Sequence, residues 1–165
     1  MLKCSYDPFD FAQGHGEYYR TMKYLSKSRE ETNKIATDFL NNLEPQKQAT
    51  VVALYGDLGS GKTAFAQEIG KILGVAENMH SPTFVIEKIY QIDFKTFKRL
   101  IHIDAYRLEK DSELLHLGWK EITKESENLI LIEWPGNVPG VIPKDAKRIY
   151  FKFINETTRE INYEN

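Results

Sequence analysis

Cysteine is nearly absent from this sequence, since Cys4 is the single cysteine among 165 residues. One cysteine cannot form a disulfide within the chain, so the disulfide-stabilised secreted folds are excluded and a reducing compartment is expected. No apolar run approaches the roughly 18 residues that a membrane span requires. The first residues also lack the basic and then apolar order of a signal peptide. These absences predict a cytoplasmic protein that makes no membrane contact.

A surplus of positive charge is missing as well. The 22 Lys and Arg residues are balanced by 24 Asp and Glu residues, which gives a formal net charge of −2. This balance argues against a protein whose main task is to hold bare nucleic acid. Hydrophobic residues make up 41% of the chain, and its length suits one domain with a real core.

The N-terminal part shows little regular pattern. Residues 1–21 have neither a helical nor a strand period, and Pro8, Gly14 and Gly16 interrupt them. We predict a poorly ordered N-terminal extension over residues 1–21, or sequence upstream of a true start at Met22, followed by one domain over residues 22–165. The aromatic side chains of the extension leave open that it docks on a surface.

The domain begins with a helix, a strand, a glycine-rich turn and a second helix. Ser28 and Glu31 have the spacing of a capping box, which predicts the start of the first helix. Residues 50–55 are a continuous apolar run, typical of a strand buried on both faces of a parallel sheet. The second helix is predicted from about residue 62 to residue 73.

Further strands are predicted along the rest of the chain. They form a hairpin of residues 84–92 and 97–103, a buried strand at 129–132 and a closing hairpin of 147–154 and 159–163, with a short helix at 111–117. This order predicts an α/β fold of three layers, with a mixed, mostly parallel central sheet flanked by helices.

The glycine-rich turn matches the phosphate-binding pattern G-x-x-x-x-G-K-[ST] at every position. Its residues are Gly56, Asp57, Leu58, Gly59, Ser60, Gly61, Lys62 and Thr63. Glycines let backbone N–H groups turn toward a phosphate, and the following helix directs its positive end at the same anion. Lys62 would reach the β- and γ-phosphates, and Thr63 would place its hydroxyl on Mg²⁺. A buried strand before the turn and a helix after it favour a P-loop NTPase fold over a chance match.

Such a loop needs an acidic partner at the end of a buried strand. Glu133 follows the apolar residues 129–132, and Asp104 follows residues 100–103, where His102 interrupts the apolar run. Strand ends face the ligand crevice in sheets of this class. We assign Glu133 to the metal site and Asp104 to the metal site or the attacking water. A helix cap or a surface ion pair is the alternative for each.

Several nearby residues are weaker candidates. His102 shares a strand face with Asp104 and is either a site residue or a satisfied core histidine. Arg107 could supply positive charge to the γ-phosphate or anchor Asp104. Thr83, in the loop that starts at Ser81, offers a hydroxyl where GTPases keep a switch, although a plain turn would look the same. Trp134 follows Glu133 and either packs at a rim or stacks near the nucleotide.

Other NTPase classes are poorly supported. The guanine-reading motif Asn-Lys-x-Asp is absent, because the nearest string begins at Asn33 within the first helix and has no acid. A small-molecule kinase would need a compact arginine-rich lid, and the basic residues here are scattered. A large motor ATPase would need a longer chain.

Four motifs in order resemble those of the TsaE (YjeE) family of bacterial P-loop ATPases. They are the loop at 56–63, Ser-Pro-Thr-Phe at 81–84, His-Ile-Asp-Ala-Tyr-Arg at 102–107 and Ile-Glu-Trp-Pro at 132–135. The resemblance covers about residues 22–163. It implies ATP and Mg²⁺ as cofactors, with Lys62 and Thr63 on phosphate and metal, Asp104 and Glu133 in the catalytic or metal site, and a functional Trp134.

The same resemblance implies a role in threonylcarbamoyladenosine modification of tRNA, next to the anticodon. Family members act on a TsaB–TsaD complex and hydrolyse ATP, so contact with tRNA would be indirect. Because no arginine finger is evident unless Arg107 serves, we expect slow hydrolysis alone and faster hydrolysis with the partner.

Two other functions stay open at this point. A small-molecule kinase would transfer phosphate to a metabolite without any protein partner. A nucleotide-gated binding module with negligible hydrolysis would tolerate Glu133→Ala but not Lys62→Ala.

Overall fold

The computed structural model describes residues 21–77 and 79–164, and contains seven strands and four α-helices within them. The strands are β1 (Thr21–Ser26), β2 (Thr50–Tyr55), β3 (Glu87–Phe94), β4 (Phe97–Asp104), β5 (Asn128–Glu133), β6 (Lys147–Phe153) and β7 (Arg159–Glu164). The helices are α1 (Arg29–Asn42), α2 (Lys62–Ile72), α3 (Asp111–His116) and α4 (Trp119–Lys124). The predicted extension at residues 1–21 lies outside the described part, apart from Thr21. No helix in the described ranges has both the length and the apolar character needed to cross a membrane.

All seven strands form one sheet in the order β1-β7-β6-β2-β5-β4-β3. The central strands β6, β2, β5 and β4 are parallel, and the edge pairings β1–β7, β6–β7 and β3–β4 are antiparallel. The sheet is mixed, as predicted. Three of its six pairings are parallel, so the sheet is half parallel rather than mostly parallel. The parallel pairings lie in the centre, because an antiparallel hairpin lies at each edge.

Helices cover both faces of the sheet, which gives the predicted three layers. On one face α1 and α2 pack through apolar side chains that include Ile35, Phe39 and Ile69. On the other face α3 and α4 contribute Leu114 and Trp119. Strands β2 and β5 are buried along nearly their whole length, since each contacts helices on both sides. Their continuous apolar sequence is the direct consequence.

The start of α1 confirms the sequence prediction in part. The Ser28 hydroxyl caps the helix by accepting a hydrogen bond from the Glu31 backbone N–H at 3.2 Å. The Glu31 carboxylate accepts from the N–H of Lys27 at 2.6 Å rather than from that of Ser28. Only half of the capping box is therefore present.

Three elements differ from the prediction. Strand β1 was not predicted, and it pairs with β7 and stacks Tyr24 on Tyr163. Helix α4 was not predicted either, because Gly118, expected only to end α3, also starts α4 with a left-handed φ of 86°. Strand β3 begins at Glu87 rather than at residue 84, since residues 82–86 form turns that end at Ile86 with φ 67°.

Candidate active site

The loop between β2 and α2 has a backbone shape that glycine permits. Gly56, Gly59 and Gly61 have φ values of 144°, 74° and 110°. A Cβ atom on Gly56 would lie 2.5 Å from the Phe151 carbonyl oxygen, so a larger residue cannot fit there. Helix α2 begins directly after Gly61 without a side-chain cap, which leaves its first N–H groups free to meet an anion.

Lys62 is turned back onto this loop and is almost fully buried. Its ammonium donates to the carbonyl oxygens of Gly56 at 2.6 Å and Asp57 at 2.9 Å. It also lies 3.9 Å from the ring centroid of Trp134. Burial lowers the pKa of Lys62, and the nearby carboxylates, Glu133 foremost, oppose that shift. The ammonium is thus held by backbone oxygens, an aromatic face and negative charge.

Glu133 connects the loop helix to the central strands. Its Oε2 accepts a 2.8 Å hydrogen bond from the Thr63 hydroxyl, and its Oε1 lies 2.9 Å from His102 Nε2. Glu133 is 2% exposed and His102 is fully buried. The parallel pairing of β4 with β5 places Asp104 directly beside Glu133, so both acids stand at the same end of the sheet.

Asp104 is surrounded by hydrogen-bond donors. Its Oδ2 accepts from the hydroxyls of Ser81 and Thr83, the latter at 2.6 Å. Its Oδ1 accepts from the Tyr106 backbone N–H at 3.0 Å. These donors compensate the burial of a carboxylate that is only 3% exposed. The Ser81–Thr83 loop is therefore tied to the end of β4.

The oxygen atoms at this point suit a magnesium ion of the kind that nucleotides carry. No group of three or more His, Cys, Asp or Glu residues in the described ranges could hold a metal by itself. Mg²⁺ is commonly held by one or two protein oxygens, and phosphate and water supply the rest. Thr63, Glu133 and Asp104 offer only oxygen ligands. Two buried carboxylates near one ammonium also leave negative charge for a cation to balance.

These residues open onto a cleft of about 780 Å³. The predicted site residues on its wall are Leu58, Gly59, Gly61, Lys62, Thr63, Thr83, Asp104, Glu133 and Trp134. Gly56, Asp57 and Ser60 belong to the same loop but do not line the cleft. Arg107 is not brought to the cleft, because its exposed guanidinium stacks on Phe84 with 4.4 Å to the ring centroid.

Arg159 was not among the residues predicted from the sequence. This arginine, at the start of β7, lines the cleft and donates from Nε to the Gly59 carbonyl at 3.1 Å. Its partner is 100 residues away in sequence, so no local motif indicates it. Ser81, which contacts Asp104, could have been found because it belongs to the same Ser-Pro-Thr string as Thr83.

Comparisons with known proteins relate this chain to one family. The family model "Threonylcarbamoyl adenosine biosynthesis protein TsaE" matches residues 26–161. A tRNA threonylcarbamoyladenosine biosynthesis protein TsaE of Rickettsia prowazekii is 37% identical, over 80% of this chain and 87% of its own length. The protein of the same name from Bacillus subtilis is 32% identical, over 87% of this chain and 85% of its own length. The crystal structure of Bacillus subtilis YdiB superposes with a TM-score of 0.69 at 27% identity, and covers 90% of this chain and 88% of its own.

Proposed function

The chain belongs to the TsaE family of threonylcarbamoyladenosine biosynthesis proteins, and we propose that it serves that tRNA modification as a magnesium-dependent P-loop ATPase. The observation that carries this proposal is the contact between Thr63, at the start of the loop helix, and Glu133, at the end of a buried strand. That contact joins a phosphate-binding loop to an acid at the point where a metal–triphosphate complex would lie.

Phosphate binding falls to the loop at 56–63. Backbone N–H groups around Gly59 and Gly61, together with the start of α2, would surround the β- and γ-phosphates. Lys62 would exchange its contacts with the Gly56 and Asp57 carbonyls for the phosphate oxygens. An ammonium in a buried site stabilises negative charge more strongly than one in water, because the surroundings screen it less.

The two carboxylates then take different tasks. Glu133 accepts from Thr63, so these two residues would hold Mg²⁺, an ion that neutralises charge on the transferred phosphoryl group. Asp104 is fixed by Ser81 and Thr83 in the next strand, beside Glu133. We assign it to orienting the attacking water. Trp134 would close the cleft over the Lys62 side.

Neither Arg107 nor Arg159 is placed to serve the transition state. Arg107 stacks on Phe84 away from the cleft, and Arg159 is engaged by the loop carbonyl of Gly59. Hydrolysis by the chain alone should therefore be slow, and a protein partner should complete the site. We propose TsaB–TsaD as this partner, with tRNA contacted only through the complex.

The test is nucleotide binding by calorimetry together with an ATPase assay on the full chain, with and without TsaB–TsaD. We expect Mg-ATP binding and weak hydrolysis that rises when the partner is added. Lys62→Ala should lower the rate of ATP hydrolysis by at least about 100-fold, the usual result of removing one preorganised charge from such a site. Glu133→Ala should bind nucleotide but no longer hydrolyse it.

Lys98→Ala is the matched control, since Lys98 is an exposed lysine that pairs with Asp93 and does not line the cleft. It should behave as the wild type. An unaltered rate in Lys62→Ala, or hydrolysis of equal speed with and without TsaB–TsaD, would contradict the proposal. Efficient phosphate transfer to a metabolite without any partner would instead indicate a kinase.

A further inference from the structure

We propose that His102 is a positioning residue that holds the Glu133 carboxylate in the orientation required for magnesium. This inference rests on the proposed ATPase function and deepens it. It assigns a role to a buried residue that the sequence left undecided between the site and the core.

The contact geometry fixes both oxygens of Glu133. The Thr63 hydroxyl donates to Oε2 at 2.8 Å, and His102 Nε2 lies 2.9 Å from Oε1. A carboxylate held by only one donor can turn about its terminal torsion, which has a broad energy profile. Two donors on different oxygens remove that freedom. Within the described part of the chain, His102 is the only group that meets Oε1.

The other nitrogen of the ring supports this role. Nδ1 of His102 is buried and has no hydrogen-bond partner among the described residues. A buried N–H group without an acceptor is costly, so we assign the hydrogen to Nε2, which donates it to Glu133. A leucine or methionine would fill the same space without an unsatisfied nitrogen. A histidine in this place therefore indicates that the Nε2 contact is what matters.

The arrangement is the oxygen counterpart of a common metal-site device. Groups that hydrogen-bond to a metal ligand orient it, and their loss typically lowers metal affinity or activity by 10–100-fold. His102 pairs with Leu131, two residues before Glu133, and does not line the cleft, so its contact with Oε1 is the route by which it would act on the metal. The effect of its loss should hence depend on the presence of magnesium.

The experiment measures ADP binding by calorimetry in EDTA and along a magnesium titration. We expect His102→Leu to need about 10–100-fold more Mg²⁺ for half-maximal tightening of ADP binding. Its ADP affinity in EDTA should equal that of the wild type. His102→Gln should restore the magnesium response, because the glutamine amide can donate from nearly the position of Nε2. His102→Asn, whose shorter side chain cannot reach Oε1, should show the same weakened magnesium response as His102→Leu. If His102→Leu does not fold, His102→Asn takes its place in the experiment.

Leu131→Val is the matched control, because Leu131 lies beside His102 in the sheet and is equally buried. It should lower the thermal unfolding midpoint without changing the magnesium response. The inference is overturned if His102→Leu and His102→Asn keep the wild-type magnesium response, or if His102→Gln is as impaired as His102→Leu. If the wild type itself binds no Mg-nucleotide, the proposed function fails first, and the two failures remain distinguishable.

Discussion

At the scale of single residues, Trp134 shows how the site stores strain. Its backbone is left-handed, with φ 58°, which for a bulky residue costs of order 1–3 kcal/mol. The ring is placed 3.9 Å from the Lys62 ammonium and 5.1 Å from the ring centroid of Tyr106. These contacts offset the strain and keep the ring over the loop. The left-handed backbone of Trp134 therefore places its ring against Lys62 in the cleft.

This geometry predicts an optical signal. When Lys62 moves from the indole face to phosphate, the fluorescence of Trp134 should change upon Mg-nucleotide addition. The chain has two tryptophans, and the other, Trp119, is 3% exposed and does not line the cleft. Trp134→Phe should retain the emission of Trp119 and lose the response. A full response in that variant would exclude Trp134 as its source.

A second prediction at this scale concerns Glu87. Burial raises the pKa of Glu87, and its Oε2 has no partner among the described residues. The folded state thus favours the protonated acid, so the ionised form destabilises the fold above the folded-state pKa. Glu87→Gln should raise the unfolding midpoint at pH 7. The gain in unfolding midpoint should vanish as the pH falls below 4.5, the ordinary pKa of a glutamate side chain.

Glu30 gives a control of opposite sign for this pH series. Hydrogen bonds from its own backbone and from Ser28 lower the pKa of Glu30, so its ionised form stabilises the fold above the ordinary pKa. Glu30→Gln should lower the unfolding midpoint at pH 7. In acid, where Glu30 is protonated in the wild type as well, the two proteins should have the same midpoint. Equal behaviour of the two variants in thermal melts would refute the assignment of Glu87.

At the scale of elements, the hairpin of β6 and β7 braces the glycine-rich loop at residues 56–63. Arg159 donates to the Gly59 carbonyl, and its aliphatic stem lies 3.5 Å from where a Gly61 Cβ would be. Holding that carbonyl outward leaves the loop N–H groups to face the cleft. The guanidinium is itself steadied by the Phe153 ring at 4.5 Å. A terminal hairpin thus helps to set the shape of a loop near the middle of the chain.

Arg159→Ala should therefore weaken nucleotide binding. A hydrogen bond of this kind contributes about 0.5–1.5 kcal/mol net, so the dissociation constant should rise by up to about tenfold. Arg148→Ala is the matched control, since Arg148 also donates to backbone carbonyls, but in the segment leading into β6. Calorimetry with ADP separates the two variants. Equal affinities would mean that the hairpin does not brace the loop.

The elements that the sequence predicted correctly are those with a local cause. The apolar run of β2 and the Ser28 cap are readable from neighbouring residues alone. Strand β1 depends on β7, whose partner residues lie more than 130 positions away. Helix α4 follows Gly118 at once, and a glycine with positive φ normally marks the end of a helix rather than the start of another.

At the scale of the whole molecule, the same distinction applies to the site. The loop and the two acids were predicted because each sits in a short motif beside a buried strand, and the parallel pairing of β4 with β5 brings the acids together. The direction of Arg107 was not predictable, since the turn at Ala105–Arg107 carries it over Phe84. Arg159 reaches the loop only through the order of the strands.

The strand order also determines when the cleft becomes complete. Tyr24 and Tyr163 are separated by 139 positions, yet their hydroxyls are 3.2 Å apart. Since β7 is synthesised after every other described strand, β1 has no neighbour in the sheet until β7 has left the ribosome. A ribosome-bound chain can carry its whole glycine-rich loop while the contact from Arg159 is still missing. The final shape of the loop is thereby tied to the synthesis of β7 rather than to the synthesis of the loop itself.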